Sequence, residues 1–247
     1  MTRSHDRLAA LVEPLVPDEL EMPSRAAEWS IAQVLSHLGS GAEIFGAILV
    51  AAAAGDALPG PESFPPVWDR WNALAPAEQV SRSLAANAAF LDEVRRLSEA
   101  QRQTLRFTLF GMDLDVARFL QMRGTEHAVH TWDVAAALDD GATVAADAVE
   151  LMVDTLGEMA RRVGKAPGGT SRIGIVTTDP ARSLVLVLDD GVSMGTDDGS
   201  PTDGRLRLPA EALLRLVYGR LDEGHTPPGV EAEGVTLDGL RAVFPGV

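Results

Sequence analysis

Apolar residues recur every three or four positions through the first two-thirds of the chain, the spacing of amphipathic helices. Leu8, Leu11, Val12 and Leu15 form the first stripe, and Pro17 ends it. Ser30, after Trp29, predicts an N-cap for a longer helix whose stripe is Ile31, Val34, Leu35, Leu38, Ala42, Phe45 and Leu49. Gly55 and Asp56 stop it. Five prolines between Leu58 and Pro76 predict a long loop. Val80, Leu84, Leu91, Val94 and Leu97 predict a third helix. A short strand is expected over Thr104 to Phe110, a fourth helix from about Leu114 to Leu138, and a fifth from about Thr143 to Val163.

The period changes after Pro167-Gly168-Gly169. Ser171 to Thr178 and Ser183 to Leu188 are β-branched-rich runs that predict strands, separated by Asp179-Pro180. Further short strands are expected at Arg205 to Leu208 and Val230 to Gly234. Helices are expected at Ala210 to Leu221, opened by Pro209, and at Leu237 to Val243. The pattern predicts a helical domain over residues 1–165 and a small α+β domain over 171–247, with the boundary between Gly164 and Thr170.

Composition narrows the function classes. The 247 residues are 46% hydrophobic, enough for a sizeable core. A net charge of −15 disfavours nonspecific binding to nucleic acid or to anionic membranes. The absence of cysteine removes any disulfide framework and any protein thiol, so thiol chemistry would need a thiol from outside. The N-terminal apolar stretch is broken by Glu13 and Pro14, and the nearly apolar run Ile44 to Ala54 is too short to span a bilayer. A soluble, cytoplasmic protein is expected.

The segment RGTEHAVHTWD, Arg123 to Asp133, carries the chemistry. At about 100° per residue, Arg123, Glu126, His130 and Asp133 fall within roughly 80° of one helix face. Phe119, Met122, Val129 and Ala137 share or border that arc, so a face that should be buried is loaded with ionisable groups. Such groups must pair or bind a metal. Glu126 and His130, one turn apart, present a carboxylate oxygen and an imidazole nitrogen to a common point, a normal first shell for zinc and other divalent ions. The third ligand should come from a facing helix. His37, on the margin of its helix's apolar stripe with Gly41 one turn on, is the best candidate among the five histidines. His127 is the rival, about 100° from Glu126 on the wheel. His5, near the terminus, and His225, in a Pro/Gly loop, are expected to be solvated. The bland alternative is a buried Arg123–Glu126 salt bridge with His130 as neighbour. Three protein ligands would leave an open position, the pattern of a catalytic site.

These residues match a known pattern. EWSIAQVLSHL (Glu28 to Leu38), RGTEHAVHTWDVAAAL (Arg123 to Leu138) and GRLRLPAEALLRLVYGRL (Gly204 to Leu221) resemble the mycothiol-dependent maleylpyruvate isomerase family of DinB-like metal-binding bundles. The resemblance implies an N-terminal DinB-like four-helix bundle holding zinc, or another divalent metal, through His37, Glu126 and His130. It implies a small C-terminal α+β domain similar to sterol-carrier folds. Mycothiol, a sugar-linked thiol, would be the cosubstrate, with a small electrophile as its partner. Asp133 and Arg220 occupy positions that look functional in the family. Arg123, Arg70 and Asn72 are expected on the cofactor side. The implied activity is S-transfer or thiol-catalysed isomerisation. The rivals are a zinc hydrolase on the same ligands and a noncatalytic metal- or ligand-binding protein.

Overall fold

The computed structural model describes residues 1–26 and 28–246. It divides into two compact units, Met1–Ala142 and Thr143–Val247. The first runs α1 (Thr2–Val12), α2 (Pro17–Leu20), α3 (Ile31–Ala54), a 3-10 turn (Pro61–Ser63), α4 (Phe64–Asn72), α5 (Pro76–Arg96), α6 (Glu99–Thr104), the hairpin β1 (Arg106–Leu109) and β2 (Met112–Asp115), and α7 (Val116–Leu138). N-terminal helices followed by a sheet unit is the architecture the periodicity predicts.

Local chemistry sets the helix ends. The Ser30 hydroxyl accepts from the Gln33 N–H at 3.2 Å, and the Gln33 side-chain oxygen accepts from the Ser30 N–H at 2.8 Å. This reciprocal cap starts α3 and contributes about 1 kcal/mol. Gly55, at φ 76°, ends it in the left-handed region that glycine enters without a Cβ clash. Asp115 caps α7 through the Arg118 N–H at 2.7 Å.

Helices α1, α3, α5 and α7 pack in a ring, α3 against both α5 and α7, and α1 against both α5 and α7. One core cluster joins Leu8 and Val12 to Ile31, Leu35, Leu38 and Val134; another joins Ile48, Phe90, Leu114 and Phe119. α3 buries just over half of its residues. At 24 residues it is long and apolar enough to cross a membrane, so the expectation drawn from Ile44 to Ala54 alone understated it. Its apolar residues instead fill the core of this unit.

The Pro-rich stretch is not a plain loop. α4 forms within it because Pro65 and Pro66 lie in the first turn, where a missing N–H costs nothing. Trp71 of α4 then lies against Gly39 of α3, where any Cβ would stand 2.2 Å from the indole ring.

The second unit contains α8 (Ala146–Met152), a 3-10 turn (Val153–Thr155), α9 (Leu156–Val163), β3 (Ser171–Thr178), β4 (Arg182–Leu188), β5 (Val192–Thr196), β6 (Gly204–Pro209), α10 (Ala210–Val217), β7 (Glu231–Glu233) and α11 (Leu237–Val243). The sheet order is β5-β4-β3-β6-β7, parallel only between β3 and β6. The expected fifth helix is broken: the Thr155 hydroxyl donates to the Met152 carbonyl at 3.1 Å where the chain tightens to a 3-10 turn. The expected boundary at Gly164–Thr170 falls inside this unit. α9 packs on β5 so closely that a Cβ at Gly157 would lie 2.1 Å from the Met194 carbonyl oxygen, and the Lys165 N–H bonds the Val243 carbonyl at 2.8 Å. The change in composition marks entry into the sheet, while helices α8 and α9 already belong with it.

Candidate metal centre

α3 supplies His37, and α7 supplies Glu126 and His130, one turn apart. The three bring one donor atom each to within 4.8 Å of one another. Glu126 Oε1 lies 2.7 Å from His37 Nε2 and 3.4 Å from His130 Nε2. Tetrahedral ligands at zinc bond lengths of about 2.0–2.1 Å stand roughly 3.3 Å apart. The Glu126–His130 separation already has that value, and the His37–Glu126 contact needs to open by only about half an ångström. Two imidazole nitrogens and a carboxylate oxygen are also the donor chemistry that zinc and neighbouring divalent ions take.

The face is open on one side. His130 is buried, whereas the side chains of His37 and Glu126 keep 33% and 44% exposure. Partial removal from water works against the charge on Glu126, but hydrogen bonds with His130 and His37, and their positive charge, outweigh it and hold the carboxyl well below its usual range. Burial pulls the His130 pKa down; hydrogen bonds to Asp133 and Glu126 reverse this and leave it raised. Asp133 Oδ2 sits 2.9 Å from His130 Nδ1 with its side chain fully enclosed. With the Nδ1 proton directed at that carboxylate, Nε2 faces Glu126 and His37.

Arg123 is 1% exposed and makes no salt bridge to Glu126 among the described residues. The bland alternative therefore does not form. Its Nη2 donates to the Leu38 carbonyl at 2.5 Å and to Asn87 Oδ1 at 2.8 Å. Arg70 is spent on Glu43, at 2.5 Å, which also accepts from Trp71 Nε1 at 2.9 Å. Asn72 Oδ1 accepts from the Ser36 hydroxyl at 2.9 Å. These three residues thus lie around α3, in contact with groups other than the donor triad. Arg220 belongs to the second unit, where its Nη1 donates to the Tyr218 carbonyl at 2.8 Å.

The rival His127 faces α1, its Nδ1 2.8 Å from the Ser4 hydroxyl, and burial together with the charge of Arg123 pushes its pKa far down. His225 is buried, against expectation, because Asp222 grips its ring at 2.7 Å and its carbonyl takes a hydrogen bond from Arg215.

Sequence reasoning missed Trp29. Its ring centroid lies 5.0 Å from that of His37 and 6.0 Å from that of His130, and the two imidazoles are 4.8 Å apart. The indole is 38% exposed and walls one flank of the donor triad. The available signal was its place just before the Ser30 cap, where an apolar residue fixes how the chain enters a helix.

Comparison with known proteins places the chain in a family and a fold. Residues 1–135 match the model of the mycothiol maleylpyruvate isomerase N-terminal domain. Two crystal structures share the fold, one of the mycothiol-dependent maleylpyruvate isomerase and one of a histidine-to-alanine mutant of it. Each superposes at TM-score 0.67 with 16% identity, covering 94% of this chain and 89% of that one. No curated protein matches the chain in sequence.

Proposed function

We propose, on the premise that this chain belongs to the mycothiol maleylpyruvate isomerase family, that it is a metal-dependent enzyme that uses a low-molecular-weight thiol, mycothiol, on a small electrophile. The observation that carries the reading is the convergence of His37, Glu126 and His130, with Asp133 bracing the far nitrogen of His130. A structural site would be closed by a fourth protein donor; here the described residues supply three, and two of them remain partly exposed. A divalent ion held there, zinc first among them, would lower the pKa of a thiol at its open position.

The chain's own residues do the rest. Glu126 stays ionised at neutral pH and so offers its carboxylate without prior deprotonation. Asp133 fixes the tautomer and ring orientation of His130. Trp29 shields one flank of both imidazoles from water. Addition of the thiol sulfur to a conjugated double bond leaves a single bond that rotates; loss of the same sulfur restores the thiol and gives the trans alkene. An S-transferase would retain the new carbon–sulfur bond. The absence of cysteine suits an enzyme that takes its thiol from outside, and the net charge of −15 suits small-molecule partners rather than nucleic acid or an anionic membrane surface.

The test is incubation of the zinc-loaded protein with mycothiol and a panel of conjugated electrophiles, read by mass spectrometry and chromatography. A thiol adduct, or isomerised product that requires the thiol, supports the reading. Thiol-independent hydrolysis would convert it to a zinc hydrolase. Saturable binding without turnover would make the protein a binding module.

A further inference from the structure

Arg123 is a fully buried cation whose hydrogen-bond acceptors are both neutral. Burial draws its pKa down to about 10 against the opposing attraction of the Glu126 charge, so it remains charged at neutral pH, and its Nε has no hydrogen-bond partner. Burying a guanidinium with no carboxylate hydrogen-bonded to it is costly, and an apolar side chain of similar volume would fill the same space at lower cost. The surroundings are nevertheless shaped to receive it. Gly41 gives it room: a Cβ there would stand 3.0 Å from Nη1. Asn87, itself fully buried, donates its amide to the Ser83 carbonyl at 2.9 Å, which turns its oxygen toward Arg123. The Phe45 ring lies 6.0 Å from the guanidinium carbon.

The acceptor on α3 is the carbonyl of Leu38, the residue next to His37. Arg123 itself stands one turn before Glu126 on α7. One side chain thus ties the backbone beside one ligand to the helix that carries the other two, and Asn87 ties both to α5. We propose that Arg123 is a positioning residue of the metal centre, fixing the rotation of α3 so that His37 is aimed at Glu126 and His130. This rests on the metal reading above and adds to it.

The sign of the effect separates positioning from electrostatics. Arg123 is a positive charge near a site for a cation, so by Coulomb repulsion alone its removal should tighten metal binding. Positioning requires the opposite. Co2+ titrated into the metal-free protein, with visible absorption of the bound ion as a second readout, decides between them. Arg123→Met is expected to weaken Co2+ binding tenfold or more, the scale seen when groups that orient ligands are lost, and to change the Co2+ spectrum. Arg123→Lys is expected to recover part of the affinity. Where Arg123→Met does not fold, Gly41→Ala keeps the charge but pushes the guanidinium by a few tenths of an ångström, and a smaller weakening in the same direction is expected. Unchanged or tighter Co2+ binding with an unchanged spectrum, even with a lowered Tm, overturns the proposal and leaves Arg123 a packing residue. Failure of the unaltered chain to bind Co2+ overturns the metal reading itself, and this proposal with it.

Discussion

Asp133 Oδ2 lies 2.9 Å from Nδ1 of His130, one turn back along α7, with its side chain fully enclosed while the opposite imidazole nitrogen faces Glu126. In the proposed metal centre, an enclosed carboxylate of this kind would orient His130 without itself being a ligand. Asp133→Asn should retain stoichiometric metal at saturation and lose activity by roughly tenfold or more. Metal content by elemental analysis, measured beside turnover, checks both halves. Loss of all metal would make Asp133 a ligand, and full activity would make it merely structural.

The raised His130 and lowered Glu126 pKa values set opposite pH trends for the metal-free and metal-bound protein. A folded-state pKa above the ordinary 6.5 means that His130 stabilises the fold below that value and loses the contribution as pH rises through the raised one. Glu126 contributes above the ordinary carboxyl pKa of 4.5 and loses it as pH falls through its lowered one. The metal-free Tm should therefore decline as pH climbs past neutrality. Metal affinity should rise over the same interval, because ligation needs the neutral imidazole. Thermal melts and metal titrations across pH 5.5–8.5 should cross in this way. His127, whose pKa is lowered, adds stability as pH rises toward its ordinary 6.5, so the decline is read above neutrality, and a metal-free Tm that rises with pH between 7 and 8.5 contradicts the assignment.

Trp29 makes the site visible. With its ring 5.0 Å from His37, a paramagnetic ion such as Co2+ held by the triad should quench its fluorescence. Trp68, Trp71 and Trp132 also fluoresce, so the diagnostic sample is Trp29→Phe, in which most of the metal-dependent change should vanish. Quenching that survives the substitution would place the bound ion near another tryptophan.

Gly39 should tolerate no side chain. Alanine there sets a methyl 2.2 Å from the Trp71 ring and forces α4 off α3. Overpacking of this kind costs about 1–3 kcal/mol. A lowered denaturation midpoint with unchanged slope is expected, and full stability would show that α4 repacks freely.

Periodicity and caps, which are properties of neighbouring residues, are enough to place most elements and two of the three donors on one face, and they single out His37 as the best candidate for the third. Glu126 and His130 share a face because 3.6 residues make a turn, and Ser30 starts α3 because its hydroxyl reaches a nearby N–H. The strand Ser171–Thr178 and the helix Leu237–Val243 were legible for the same reason. Tertiary packing decided what lies far apart in the chain. It brought His37 within 2.7 Å of Glu126, laid Trp29 across both imidazoles, and folded α4 onto Gly39 despite its prolines. It also turned Arg123 away from Glu126. On a helical wheel the two are natural partners, but the wheel carries no record of Asn87 or of the Leu38 carbonyl, and those were the acceptors within reach once α3, α5 and α7 had closed around the side chain.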